Sequence, residues 1–338
     1  MSKHRWLYLA LIITIMLSAC AKRNTAHQED DWLILERTLP VVGNTLDIKI
    51  DENYIYVAQD QGGFSLIRRN DYHQTWYTTF KAADGSQTTM GRVKRITAVP
   101  ERNKILYNEV ANTDRITIVD TSNPDTLRYL YEITGGTGGI KDFDSFSLPV
   151  PQGIYIMSIA YCSGGSFKYD YYDGNIFNTN QYYVSPPGDA SGFALTEEYI
   201  FVTSGQRGLF IYDRSDRHLL SELVLPGEAQ KIVLLGNTAF IASRQSGMNI
   251  VSVANPSAPV LLATYKTSNF ATAVDVSGSK AAISAGNSGV YLFDIGNPSS
   301  PKLLQRLTSC GYANSAKFMG TKLVVGTRDN GVQIYKVK

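Results

Sequence analysis

Short runs in which apolar and polar residues alternate recur along most of the chain, each closed by Gly, Asn, Asp, Ser or Pro. That is the pattern of half-buried β-strands separated by turns, and no long apolar stripe of helical period competes with it, so the predicted class is all-β. The pattern also repeats at long range. "GMNIVSVANPSAPVLLATY" begins at Gly247, "GVYLFDIGNPSSPKLLQRL" at Gly289 and "GVQIYKVK" at Gly331, in steps of 42 residues. Looser copies start at Gly63, Arg115, Gly165 and Gly208, which makes seven. Upstream of the copies lie paired β-rich runs joined by tight turns, with turn pairs at Gly236-Asn237, Ser277-Gly278 and Gly320-Thr321. Four short strands per repeat of about 42 residues is the arithmetic of a β-propeller blade.

Naming the strands of a blade A to D from the axis outward, the last copy supplies A (Ala313 to Met319), B (Lys322 to Thr327) and C (Val332 to Lys338), and no D follows. The run from Asp31 to Pro40, "DWLILERTLP", precedes the first A strand and shares the apolar pattern of D strands such as "PKLLQRLTS". The predicted fold is therefore a β-propeller of seven four-stranded blades, closed by the N-terminal strand pairing with the C-terminal blade. Closure of this kind consumes the exposed strand edges that would otherwise template aggregation. The expected blades span 45–80, 92–134, 141–185, 190–226, 228–268, 271–309, and 313–338 completed by 32–40. Uneven steps between the first four copies leave six or eight blades open.

The stretches "ITIVDTSNP", "NIVSVANPSAP" and "VYLFDIGNPSSP" resemble the LVIVD repeat of bacterial and archaeal cell-surface proteins. The resemblance implies a propeller outside the cytoplasm and no particular reaction. It is strongest over 228–338 and weakest in blades one, three and four, where the Asn-Pro-x-x-Pro turn is lost.

Ahead of this body the chain has a short basic head (Lys3, Arg5), an apolar stretch from Trp6 to Leu17, and small residues before Cys20. This is the layout of a secretory signal peptide, too short for a membrane-spanning helix. Leu17-Ser18-Ala19-Cys20 resembles the lipobox of bacterial lipoproteins, which implies cleavage before Cys20 and acylation of its sulfur, palmitate being the typical chain. The expected organisation is a lipoprotein signal peptide (1–19), a flexible tether from the lipidated Cys20 (20–31) and one propeller domain (32–338). Ala21 follows Cys20 where an Asp would signal retention at the inner membrane, so analogy favours the outer membrane of the cell envelope.

Removal of residues 1–19 takes two of the 32 basic residues and none of the 30 acidic ones, leaving 30 of each. A chain with balanced charge and no basic stripe is not expected to bind nucleic acid. The histidines left after cleavage, His27, His73 and His218, lack any ligand or triad spacing, and there is no P-loop, Cys-x-x-Cys or Gly-x-Ser-x-Gly. No cofactor, no metal and no catalytic residue is expected. "YDYYDGN" (Tyr169 to Asn175) lacks the alternating oxygen ligands and distal Glu of a calcium loop and is expected to be a turn. Cys162 and Cys310 have no disulfide signature and are expected to be free thiols. Asp120, Asp213 and Asp294 recur at the ends of C strands, where a carboxylate can accept hydrogen bonds from the following turn.

The B-to-C and D-to-A connections of a propeller share one face, around the mouth of the axial channel. Here that face collects Arg207, Arg244, Arg328, Asp329, Glu109, Tyr161 and Tyr312, the candidate ligand-binding set. Arginines and aromatics at a concave mouth suit an anionic or sugar-like ligand or a protein loop. The expected function is a lipid-anchored, monomeric binding or scaffold module for an envelope protein or glycan. The competing expectation is a polysaccharide lyase or hydrolase drawing a carboxyl pair from Glu109, Asp142, Asp144 and Asp329.

Overall fold

The computed structural model describes residues 31–338 apart from 111–113, 124, 136–137, 147–156 and 173–176, and gives the backbone alone at 146, 157–158, 171–172 and 177–182. The signal peptide, Cys20 and the tether therefore lie outside the described residues, as do Asn112, Pro124 and residues 173–175 of the "YDYYDGN" stretch.

Seven sheets are arranged as successive blades, six of them of four antiparallel strands. The A strands are Asp47–Ile50, Arg92–Val99, Ile140–Phe146, Gly192–Leu195, Ile232–Leu235, Ala273–Ser277 and Ala313–Met319. The seventh sheet takes Leu33–Leu39 as its outer strand, paired with Val332–Val337 from Leu33 opposite Val337 to Leu39 opposite Val332. Two turn glycines lead into their B strands at positive φ, Gly236 (54°) and Gly320 (61°), and Gly278 (55°) does the same in blade six, where the turn pair is Gly278-Ser279, one residue later in the chain than the expected Ser277-Gly278.

The glycine that opens five of the seven C copies has a shared cause. Gly63, Gly208, Gly247, Gly289 and Gly331 all sit at φ between 67° and 89°, which side chains disfavour. A Cβ at each would also run into the backbone carbonyl at the end of the neighbouring D strand: Tyr77, Leu223, Tyr265, Leu307 and Leu39 respectively. That Gly331 meets Leu39 in this way makes Leu33–Leu39 the seventh D strand in geometry as well as in pairing.

The core lies between blades, not inside any one of them. Seven apolar clusters occur among the described residues, and each joins two neighbouring sheets, such as Leu66 and Tyr107 between blades one and two, or Ile48 and Ile334 across the closure. A single four-stranded sheet buries neither face alone, so the blades stabilise one another by mutual burial.

Blade two departs from the expectation. Its sheet has six strands because Thr79–Lys81 and Gln87–Thr89 form a hairpin that adds to the outer edge, Lys81 opposite Arg128 in parallel. Blade one therefore ends with Gln74–Tyr77, and the segment assigned to its tail belongs to its neighbour. The C-to-D turns follow the carboxylate rule: Asp120, Asp213 and Asp294 accept from the backbone N–H two residues on, at 2.7, 2.7 and 2.8 Å. Asn123, Asn255 and Asn297 do the same one turn later, at 3.0, 3.2 and 3.1 Å. Cys162 and Cys310 are buried free thiols. Burial pushes the Cys310 thiol up to about 11, so it is protonated near neutral pH.

Candidate functional site: the axial cavity and its rim

Alternation along an A strand sends one residue into the inter-blade core and the next toward the axis. In Asp47–Ile50, Ile48 is buried against blade seven, while Asp47 and Lys49 line an axial cavity. In blade three Phe143 belongs to the core cluster, and Asp142 and Asp144 on either side of it face the cavity. Ala316 packs in the core between Ser315 and Lys317, which line the cavity from blade seven. Three of these strands carry a register shift near their start, between Val93 and Arg95, Ile140 and Asp142, and Ala313 and Ser315. Bulges of this kind re-aim side chains, and here one places both Lys94 and Arg95 on the cavity wall.

All seven blades contribute to the cavity, which has a volume of about 420 Å³. Most of its charges are paired between blades. Lys49 bonds Asp144 at 2.7 Å, and the Thr97 hydroxyl donates to the same carboxylate at 2.6 Å. Lys317 meets Asp275 at 3.1 Å, the second oxygen of which accepts from the Phe318 N–H at 2.8 Å. Lys231 contacts Asp142 directly, with Arg95 at 3.8 Å from the same carboxylate. The cations differ in how well they are served. Burial works to lower the Lys317 ammonium, but Asp275 and Asp47 outweigh it and the group ends above its ordinary value. Burial lowers Arg95, and Asp47 does not make up the loss. Burial and then Arg95 hold Lys231 well below its ordinary value. Negative charge is short on the Arg95–Lys231 side.

The rim residues singled out from sequence are engaged in their own surroundings. Arg207 pairs with Glu222 at 2.9 Å. Arg244 pairs with Glu228 at 3.3 Å and lies over the Phe270 ring at 4.7 Å. Arg328 lies over Tyr312 at 4.5 Å and bonds Asp329 at 3.2 Å, so these three form one group. Glu109 is buried, pairing with Arg115 at 3.2 Å and accepting from the Gly91 N–H at 2.6 Å. Tyr161 is also buried and donates its hydroxyl to Asp170 at 2.8 Å. Neither Arg207, Arg244 nor Arg328 lines the axial cavity. Sequence reasoning missed the cavity set of Lys49, Lys94, Arg95, Lys231 and Lys317. The available signal was a charge at alternate positions of an otherwise apolar innermost strand.

Asp213, Asp216 and His218 also bring ligand atoms within 4.8 Å of one another in the C-to-D turn of blade four. Their bonds stay inside the turn: Asp213 serves Ser215, and Asp216 lies 2.6 Å from His218 Nδ1.

Comparison with known proteins bears on the fold. The family model described as "LVIVD repeat" matches residues 42–67, 187–223, 226–267 and 270–309. No curated protein matches the chain. Among solved structures, the β-propeller domain of Cps50 (Swd1) from Myceliophteria thermophila is 11% identical, covers 90% of this chain and 100% of its own, and has a TM-score of 0.70. The WD40 β-propeller domain of Doa1 is 15% identical over 90% and 97%, with a TM-score of 0.69. U3-55K is 15% identical over 90% and 98%, with a TM-score of 0.67. At such identities the likeness is one of fold. The seven sheets make the chain a β-propeller of seven blades, and the LVIVD repeat matches within its blades one, four, five and six.

Proposed function

We propose that this protein is a binding module of the cell envelope, anchored through lipid on Cys20 in the outer membrane, which engages a protein or glycan partner through the face that carries Arg207, Arg244 and Arg328. One observation favours binding over catalysis. Each carboxylate that could serve a glycosidase already has a cation: Glu109 with Arg115 at 3.2 Å, Asp144 with Lys49 at 2.7 Å, Asp329 with Arg328 at 3.2 Å, and Asp142 with Lys231. A hydrolytic pair needs one carboxyl that holds a proton and a second that is free to attack or to activate water, and cationic partners oppose the first requirement. The likeness of fold to the WD40 β-propeller domain of Doa1 supports a scaffold role.

The face is coherent in construction. Residues of the B-to-C turns bridge to residues at the start of the next blade's A strand, Asp60 to Val93, Gly205 to Ala229, Arg244 to Ala271 and Gly286 to Ala313. These connections therefore share one end of the molecule with the beginnings of the A strands that line the cavity. The test is capture from envelope extract by three proteins: wild type, the triple variant R207A/R244A/R328A, and the control Lys302→Ala on an exposed outer strand. The triple variant should keep its melting temperature and lose at least about tenfold in capture, since desolvated arginine contacts are commonly worth that much each. Full capture by the triple variant, or equal loss by the control, would move the surface elsewhere. Polysaccharide turnover abolished by Asp144→Asn would put the hydrolase reading first.

A further inference from the structure

The axial cavity holds an imbalance that the rim reading leaves unused. Lys49, Lys94, Arg95, Lys231 and Lys317 line it, against Asp47, Asp142 and Asp144, with Asp275 behind Lys317. Five cations thus face four carboxylates, one positive charge in excess, and Asp47 acts on Arg95, Lys231 and Lys317 without an ion pair to any of them among the described residues. Lys49 and Lys317 each hold a carboxylate of their own, at 2.7 and 3.1 Å. Arg95 and Lys231 share Asp142, and Arg95 at 3.8 Å is beyond good hydrogen-bond distance. Lys94, next to Arg95 on the bulged strand, is exposed and has no ion pair among the described residues. Donor capacity is left over at Lys94 and Arg95, beside a cavity of about 420 Å³, a size within the ~300–1,000 Å³ of small-molecule sites.

We propose that the axial cavity binds a small monocarboxylate on a body of about sugar-ring size, its carboxylate held by the Arg95 fork and by Lys94, with Lys231 alongside. The guanidinium presents paired N–H groups that match a carboxylate's two oxygens, and Arg95 now uses them poorly. A single negative charge balances the ring, whereas a phosphate dianion overshoots it. Phe143, Phe193 and Ile232 give the cavity apolar wall for the body of the ligand. The burial that depresses Arg95 and Lys231 fits the same shortage of negative charge. This inference is independent of the rim: it concerns a soluble small molecule, and capture of a macromolecular partner can fail without touching it.

Calorimetric titration of the purified full-length protein in detergent tests it, with sodium D-glucuronate and sodium cyclohexanecarboxylate as probes, D-glucose as the neutral match and inorganic phosphate as the rival anion. At least one carboxylate should bind saturably, D-glucose should not bind, and phosphate should bind more weakly. Lys94→Ala, which removes an exposed side chain with no ion pair, should melt as wild type does and weaken the carboxylate at least about tenfold, a loss of roughly 1.4 kcal/mol. Arg95→Gln should weaken it further, and Lys302→Ala not at all. Absence of saturable binding of both carboxylates into the millimolar range overturns the proposal. Tighter binding of phosphate, or wild-type affinity in Lys94→Ala, does the same.

Discussion

Asp213 accepts from the backbone N–H and the hydroxyl of Ser215 at 2.7 and 2.5 Å, and these bonds hold its carboxyl below the ordinary 3.8. A folded-state value below the unfolded one means that the ionised form stabilises the fold. The contribution is complete above the unfolded value and is lost as pH falls through the folded one. Asp213→Asn keeps the acceptor oxygen but cannot titrate. Urea unfolding at a series of pH values should therefore show a smaller loss of stability from pH 7 to pH 2 in the variant than in wild type, and an unchanged slope would refute the assignment. The same local chemistry at Asp120 and Asp294 explains why a carboxylate recurs there without marking a ligand site. The carboxylate rule was readable because the bonds that Asp120, Asp213 and Asp294 accept from the turn backbone each span two residues of sequence.

At the scale of elements, the seventh blade depends on a strand from the other end of the chain. Leu33 and Leu39 are buried at 3% and 8% exposure, in clusters shared with blades six and one respectively. Lys322 bonds Glu36 at 2.7 Å, and the Lys338 N–H donates to the Trp32 carbonyl at 3.0 Å. Burial of two leucines alone contributes about 3–6 kcal/mol. Deleting Asp31 to Pro40 should thus lower Tm by on the order of 10 °C, whereas deleting 21–28 should leave it nearly unchanged. Equal melting of the two truncations, read by circular dichroism, would contradict the closure. The outer hairpin of blade two was not legible in the same way. Thr79–Lys81 carries no copy of the repeat, and its assignment rests on one parallel bridge between Lys81 and Arg128, 47 residues apart in sequence.

For the whole molecule, the address proposed here rests on four residues, Leu17 to Cys20, outside the described propeller. Cys20→Ala should abolish labelling by a palmitate analogue and shift the protein from the membrane pellet to an uncleaved or soluble form. Unchanged partitioning of that variant would remove the lipid anchor from the proposal. The propeller itself should melt as before, because Cys20 precedes the first described strand, Leu33–Leu39, by thirteen residues of sequence.

Local periodicity by itself determined the four-stranded repeat, the partner of the last strand and the turn carboxylates, and favoured seven blades while leaving six or eight open, since the repeat is copied in steps of 42 residues only in the last blades. The tertiary structure alone decided which charges meet. Asp142 and Lys231 are separated by 89 residues, Lys49 and Asp144 by 95, and Lys317 and Asp275 by 42. Six of the blades supply one or two inward charges and blade four none among the described residues, and the signs follow no repeat, so nothing local marks the charges as a set. Closing the ring places seven innermost strands around one axis, and that radial convergence turns scattered Lys, Arg and Asp residues into a single cavity with one positive charge to spare. The rim arginines illustrate the converse: their shared place in the repeat was plain from sequence, but their partners, Glu222, Glu228 and Tyr312, were settled by side-chain reach across loops and between blades.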